Sequence, residues 1–180
     1  MNLLKFLATI IVFYFLAILQ NSFFVHLNFF GAFPNFVFIF FILLVFFSTK
    51  GSSIFGGEII FCAIIAGLLL DIFYEIYFGV SVVILIIIGF FVKKIQLLLQ
   101  ERGDKYPFIY FLFLFLFSFV IYQIAFILYL GFINPLHLKI NISLKQLFDI
   151  FYNIIFATIG FRIFRKFVNI SDDNQLKLFR

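Results

Sequence analysis

The stretch Gly67-Leu-Leu-Leu-Asp71-Ile-Phe-Tyr-Glu75-Ile-Tyr-Phe-Gly79-Val-Ser81 decides the fold, because it sets two carboxylates between long apolar segments. An ionised carboxylate at the centre of a membrane-spanning helix costs about 2.5–3.5 kcal/mol on insertion scales, so such residues usually face a helix bundle or water. Asp71 and Glu75 are four residues apart, and on a continuous helix they share one face with Gly67. The pattern predicts a helix with a small residue, Gly67, on the face that ends at these two carboxylates. A tight connection to the next helix follows.

The composition is that of a polytopic membrane protein. The chain has 180 residues, of which 66% are hydrophobic and 12% are charged, and its mean hydropathy is +1.24. It is too apolar for a soluble domain and too long for a single membrane anchor. The net charge of +5 lies in short runs beside apolar segments, which fits membrane orientation better than nucleic-acid binding. Membrane lipid, and no nucleic acid, is therefore the expected partner.

The apolar segments predict six membrane spans, since one span needs about 20 mainly apolar residues. Backbone groups in lipid must be hydrogen-bonded internally, and the strict alternation of a membrane barrel is missing, so the spans are predicted to be helices. Pro34 is expected in the first turn of the second helix, where a missing N–H is tolerated. The prediction is one all-α membrane domain over 1–180, with spans at about 3–19, 34–48, 54–70, 77–92, 108–132 and 147–164.

The distribution of positive charge predicts the orientation of these spans. All thirteen Lys and Arg residues except Lys139 and Lys145 fall on one side of a six-span arrangement. By the positive-inside rule this side is the cytoplasm, so both termini are predicted to be cytoplasmic. Five spans would scramble the asymmetry. The expected location is the plasma membrane, with the chain crossing it several times.

Several polar residues fall toward the outer ends of the predicted helices. Asp149 and Asn153 are four residues apart and share a face of the sixth helix. With Gln20 and Glu75 they form a predicted outer polar cluster, a candidate ligand site. The alternative is that these groups cap helices or meet headgroup water.

Residue patterns typical of enzymes and metal sites are missing from the sequence. Cys62 is the only cysteine, which excludes an intramolecular disulfide and a cysteine metal cluster. His26 and His137 have no second His or Cys at ligand spacing. There is neither a nucleophile motif nor a phosphate-binding glycine-rich loop. We therefore predict no catalytic residue, no metal ion and no cofactor, and a protein that is not an enzyme.

Two motifs resemble the MreD family of bacterial rod shape-determining membrane proteins. Gly67-Leu-Leu-Leu-Asp71-Ile followed by Gly79-Val-Ser81 is similar to the family's Gly-x-x-x-Asp-hydrophobic run and its later Gly-hydrophobic pair. Pro34-Asn35, which opens the second span after the polar Gln20-Asn21-Ser22, is the second match. Glu75 departs from the pattern, because the family more often has a small residue there. The resemblance spans most of the chain.

The resemblance implies a non-enzymatic component of the bacterial cell-elongation machinery, the elongasome. Such a component maintains cell shape by linking a cytoplasmic actin-like filament to the synthases of the peptidoglycan wall through a bitopic partner, MreC. Its candidate partner-binding or structural residues are Pro34, Asn35, Gly67, Asp71 and Gly79. Asp71 would either brace the third and fourth helices or receive a polar group of a partner.

A second function is kept open, because the fold of the shape protein is similar to that of an importer subunit. The alternative is the substrate-binding membrane subunit of a vitamin importer of the energy-coupling-factor type. In that case the outer polar cluster would be its binding site. The oligomeric state is not predicted.

Overall fold

The regular secondary structure of the described residues is helical. A computed structural model describes residues 3–26, 31–48, 57–73, 78–100, 107–133 and 144–178. These ranges contain no strand, so the all-α prediction is confirmed for them. The helices are α1 (Leu3–Ile18), α2 (Phe36–Phe47), α3 (Gly57–Phe73), α4 (Val80–Gln100), α5 (Pro107–Ile133) and α6 (Leu144–Leu178).

Among the residues that the structure describes, four helical segments are long and apolar enough to cross a membrane. They are Phe6–Phe24, Val80–Leu98, Pro107–Tyr129 and Lys145–Phe167. By contrast α2 has only 12 residues, which extend for about 18 Å at 1.5 Å per residue. This is shorter than the hydrocarbon core of a bilayer, which is about 30 Å thick.

The short helix α2 lies at the centre of the bundle and is in contact with α1, α3, α4 and α6. Its side chains build an aromatic core. The Phe38 ring is fully buried, and its centroid lies 5.9 Å from that of Phe115 and 5.7 Å from that of Phe119, both on α5. These are edge-to-face pairs, the arrangement that aromatic quadrupoles favour. The longer helices thus surround α2.

The outer surface of the bundle is apolar. An exposed stripe at helical spacing runs along α5 through Phe113, Phe117, Val120, Ile124 and Leu128. Soluble monomers rarely expose continuous apolar faces of this kind, whereas a helix in lipid does so without cost. Buried polar side chains and exposed apolar side chains together indicate a protein that is embedded in a lipid bilayer.

The first predicted boundary needs correction at the end of α1. The span was expected to stop before Gln20, but helical structure continues as a π-helical turn over Leu19–Phe24. The Asn21 amide nitrogen donates to the Ala17 carbonyl oxygen at 2.9 Å, which supplies a donor where the wider turn displaces the backbone N–H. The polar residues therefore shape the last turn of the helix and do not end it.

Pro34 lies before the N-cap residue Asn35 and not in the first turn of α2. Two helices continue past the predicted span limits, α4 to Gln100 beyond Val92 and α6 to Leu178 beyond 164. Charged residues beyond Val92 do not end α4, because a helix can turn such side chains toward a neighbouring helix terminus.

Candidate functional site: the Asp71 cap and the polar cleft

The Asp71 carboxylate caps the first turn of α4. Its Oδ2 accepts a hydrogen bond from the Gly79 backbone N–H at 2.6 Å, and its Oδ1 accepts one from the Ser81 N–H at 3.0 Å. The first N–H groups of any helix lack partners within the helix, and the helix dipole favours a negative charge beside them. Asp71 is only 1% exposed, so its burial is matched by two backbone donors. We call Asp71, Gly79 and Ser81 the Asp71 cap.

Two glycines give the Asp71 cap its geometry. Gly79 has a φ of +98°, a conformation that a residue with a Cβ adopts only with strain. Gly67 lies where α3 and α4 approach most closely, because an added Cβ would stand 2.5 Å from both the backbone N and the Cα of Val82. The small residue lets Asp71, one turn later, reach the start of α4.

The Asp71 cap is joined to α5 by a side-chain contact. The hydroxyl oxygens of Ser81 and Tyr122 are 3.4 Å apart, and either can be the donor. Both side chains are buried. Tyr122 also lines a cavity on its other side, so the cap and the cavity share one wall.

This cavity, the polar cleft, has a volume of about 230 Å³ and lies between the start of α2, the C-terminal half of α5 and the start of α6. Its polar lining is contributed by all three helices. The lining residues are Phe33, Asn35, Phe119, Tyr122, Gln123, Phe126, Lys145, Asp149 and Asn153.

Two asparagines form the floor of the polar cleft. Asn153 on α6 is 1% exposed, and its Oδ1 accepts a hydrogen bond from the Asn35 backbone N–H at 2.9 Å. Its Nδ2 donates to the Asp149 carbonyl oxygen at 2.7 Å. The Asn35 side chain in turn accepts from the Phe38 N–H at 2.9 Å and caps α2. Asn153 thereby fixes the position at which α2 begins.

Two oppositely charged side chains of α6 also line the polar cleft. Lys145 and Asp149 are one turn apart on α6, and they interact electrostatically. The Asp149 carboxylate is half-buried and accepts a hydrogen bond from the Phe33 backbone N–H, whereas Lys145 is exposed. Across the cleft, the Gln123 side chain lines the α5 wall. The cleft thus offers a cation, a carboxylate and an amide.

At the opposite end of the bundle, α4 caps the C-terminus of α2. Lys93 is 2% exposed, and its ammonium group donates to the Ser48 carbonyl oxygen at 3.2 Å and to the Ser48 Oγ at 2.9 Å. The Gln96 amide donates to the Phe46 carbonyl oxygen at 2.6 Å. A cation is favourable at this end of a helix, where unpaired carbonyls concentrate negative charge.

The structure separates the predicted site residues into two groups. Gly67, Asp71 and Gly79 meet at the Asp71 cap, while Asn35, Asp149 and Asn153 meet at the polar cleft, with Pro34 directly before Asn35. Gln20 is buried in the π-helical turn and does not line the cleft. Glu75 lies outside the described residues.

The sequence prediction missed Lys93, Gln96, Ser81 and Tyr122 as contributors to buried polar contacts. A signal for Ser81 and Gln96 existed. They lie at the two ends of the row Ser81, Leu85, Ile88, Val92 and Gln96, which is otherwise apolar, is buried and repeats at helical spacing.

The sequence also matches a protein-family model. The model of the family described as rod shape-determining protein MreD matches residues 1–170. The chain belongs to the MreD family. It is accordingly a rod shape-determining membrane protein, and the suspected resemblance is confirmed.

The other two comparisons yield no relative. No curated protein and no solved structure matches the chain. The family assignment therefore rests on the match over residues 1–170, which includes both the Asp71 cap and the polar cleft.

Proposed function

We propose that this MreD family member is a non-enzymatic scaffold of the bacterial cell-elongation machinery. In this proposal the chain crosses the plasma membrane six times with both termini in the cytoplasm, and the second crossing is made by α2 together with the residues that flank it. It holds an MreC-like bitopic protein and cell-wall synthases together during lateral peptidoglycan synthesis.

The observation that carries the proposal is the use of buried polar groups to join helices. Both carboxylate oxygens of Asp71 bind backbone N–H groups at the start of α4, and Lys93 and Asn153 bind the two ends of α2. A carboxylate that acts on a substrate must be within reach of it, whereas Asp71 is only 1% exposed and is held by two backbone N–H groups. These contacts favour a rigid structural role for the protein over a catalytic role.

The exposed apolar faces supply the binding surface that a scaffold needs. In lipid, helices associate through close packing and polar contacts, because there is no hydrophobic driving force between them. Phe113 and Phe117 on α5 and the lipid-facing side of α4, which includes Val83 and Ile87, are exposed to partner helices in the isolated chain.

The test is affinity purification of the tagged full chain from its native membrane in mild detergent, with mass spectrometry of the recovered proteins. We expect an MreC-like protein and cell-wall synthases in amounts close to that of the tagged chain. An Ile72→Ala variant, which alters an exposed side chain beside Asp71, serves as a control for tagging and expression. Recovery of neither class of protein from a monodisperse preparation would contradict the scaffold function.

The polar cleft favours one second candidate, the substrate-binding subunit of a vitamin importer. Its lining, which offers a cation, a carboxylate and amides, suits a small polar molecule. The same purification separates the two functions. Recovery of a coupling subunit and ATPases would establish the importer and leave no role for the elongation machinery.

A further inference from the structure

A second cavity adjoins the polar cleft on the lipid-facing side of α5 and α6. This lateral groove has a volume of about 290 Å³. Its wall consists mainly of Phe119, Val120, Ile124, Ile127, Leu147 and Ile150. Phe119 and Gln123 line both cavities, so the groove and the cleft meet at these two residues.

The helices α5 and α6 enclose these two cavities only over the C-terminal half of α5 and the start of α6. The ring contacts between α5 and α6 lie near the opposite end, where Phe161 packs against Phe108 and Phe111 with centroid distances of 5.5 and 4.8 Å. Toward the start of α6, the cleft and the groove occupy the space between the helices. A molecule can therefore enter the cleft sideways, from the bilayer.

The polar cleft complements a zwitterionic group. Lys145 and Asp149 carry opposite charges one helical turn apart, and Gln123 faces them from α5. A phosphate and an ammonium group joined by a two-carbon link match this pair, with the phosphate at Lys145 and the ammonium at Asp149.

The lateral groove complements a hydrocarbon chain. Val120, Ile124 and Leu147 are 43%, 52% and 56% exposed, so the groove opens directly to the hydrocarbon region. A small polar metabolite would leave the groove unused. An amphipathic molecule fills both cavities, because their order from the bundle interior to lipid is polar and then apolar.

We propose that the polar cleft and the lateral groove form one binding site for a phospholipid with an amino headgroup, of the phosphatidylethanolamine type. The headgroup lies in the cleft between Lys145, Asp149 and Gln123, and one acyl chain lies along Val120, Ile124 and Leu147. The site does not depend on the scaffold function, because it needs no partner protein.

The chain contains no tryptophan, which permits a direct test. A Leu147→Trp variant of the full chain places a single fluorophore in the lateral groove. A Val83→Trp variant is the matched control, since Val83 is 57% exposed near the start of α4 but lies outside the groove. Both proteins are titrated in detergent micelles with phosphatidylethanolamine that carries brominated acyl chains, which quench a fluorophore on contact.

We expect half-maximal quenching of Leu147→Trp at a mole fraction about tenfold lower than for Val83→Trp, as charge-assisted hydrogen bonds to the headgroup provide such a preference. Adding Lys145→Gln and Asp149→Asn should remove this difference. Asp149→Asn keeps an acceptor for the Phe33 N–H, and size-exclusion profiles check that the variant remains folded. Brominated phosphatidylglycerol, which lacks the ammonium group, should also quench both positions alike.

Two results would overturn the proposal. Equal quenching of Leu147→Trp and Val83→Trp by phosphatidylethanolamine would mean that the groove holds no lipid in preference to bulk contact. Displacement of the brominated lipid by an equimolar amount of free glycerophosphoethanolamine would mean that the cleft takes a soluble compound without a chain. Neither result bears on the recovery of partner proteins, so the scaffold function is tested separately.

Discussion

Replacement of Asp71 by alanine should destabilise the bundle more than almost any other single substitution in α3. The change removes both acceptors of the Gly79 and Ser81 N–H groups and leaves a part-buried donor at Gly79 and a buried donor at Ser81 unpaired. Each such donor costs about 1–3 kcal/mol, so the loss in the free energy of unfolding is about 2–6 kcal/mol. Asp71→Asn keeps one acceptor and should cost about half as much, about 1–3 kcal/mol.

The only cysteine of the chain supplies the assay. Cys62 is buried in the same helix, so its reaction with a maleimide reports the opening of α3. The purified variants are titrated with SDS in mixed micelles, and the labelled fraction is measured after a short pulse. We expect the unfolding midpoint to fall in the order parent chain, Asp71→Asn, Asp71→Ala. Ile72→Ala is the control, because its side chain is 52% exposed to lipid and such a change costs within about 0.5 kcal/mol.

Two outcomes would refute this reasoning. A midpoint for Asp71→Ala equal to that of the parent chain would show that the carboxylate does not bind the two backbone donors in the membrane protein. An equal loss for Ile72→Ala would show that the assay reports general disturbance of α3 and not the loss of a cap.

The same titration tests two further contacts. Gly67→Ala should cost about 1–3 kcal/mol, because its Cβ would collide with the Val82 backbone and force α3 and α4 apart, whereas Gly57→Ala meets nothing within 4 Å and should change the midpoint little. Equal effects at the two glycines would contradict the close approach. Lys93→Met should cost about 1–2 kcal/mol, since it removes the cation from the C-terminus of α2. Lys94→Met, at an exposed neighbouring position, should have no measurable effect. A larger loss for Lys94→Met than for Lys93→Met would mean that Lys94, and not Lys93, is the buried side chain.

The part of the fold that sequence analysis predicts well is local. Gly67, Asp71 and Gly79 lie close in the chain, and the Asp71 cap joins residues only eight and ten positions apart. A carboxylate between two apolar helices that are joined by a tight connection can occupy few positions. The spacing of Gly67, Asp71 and Gly79 therefore predicts most of the geometry of this cap.

The polar cleft depends on contacts that no short pattern encodes. The hydrogen bond from the Asn35 N–H to Asn153 joins residues 118 positions apart, and it forms only because α2 and α6 pack together. Sequence analysis placed Asp149 and Asn153 on one face, but it could not assign Tyr122 as a wall shared with the Asp71 cap. It also grouped Gln20 with this cluster, although that side chain is buried elsewhere. Sequence analysis fails to predict these contacts because the residues lie far apart along the chain, not because their chemistry is unsuited to a polar cluster.

The short central helix has a consequence for the biosynthesis of the protein. Both ends of α2 receive their final partners from residues that the ribosome adds much later, Lys93 and Gln96 at one end and Asn153 at the other. When α2 leaves the ribosome it is too short to span the hydrocarbon core and its terminal groups lack these partners. We therefore expect α2 to reach its final packing only after α4 and α6 have been synthesised, when Lys93, Gln96 and Asn153 can bind its ends.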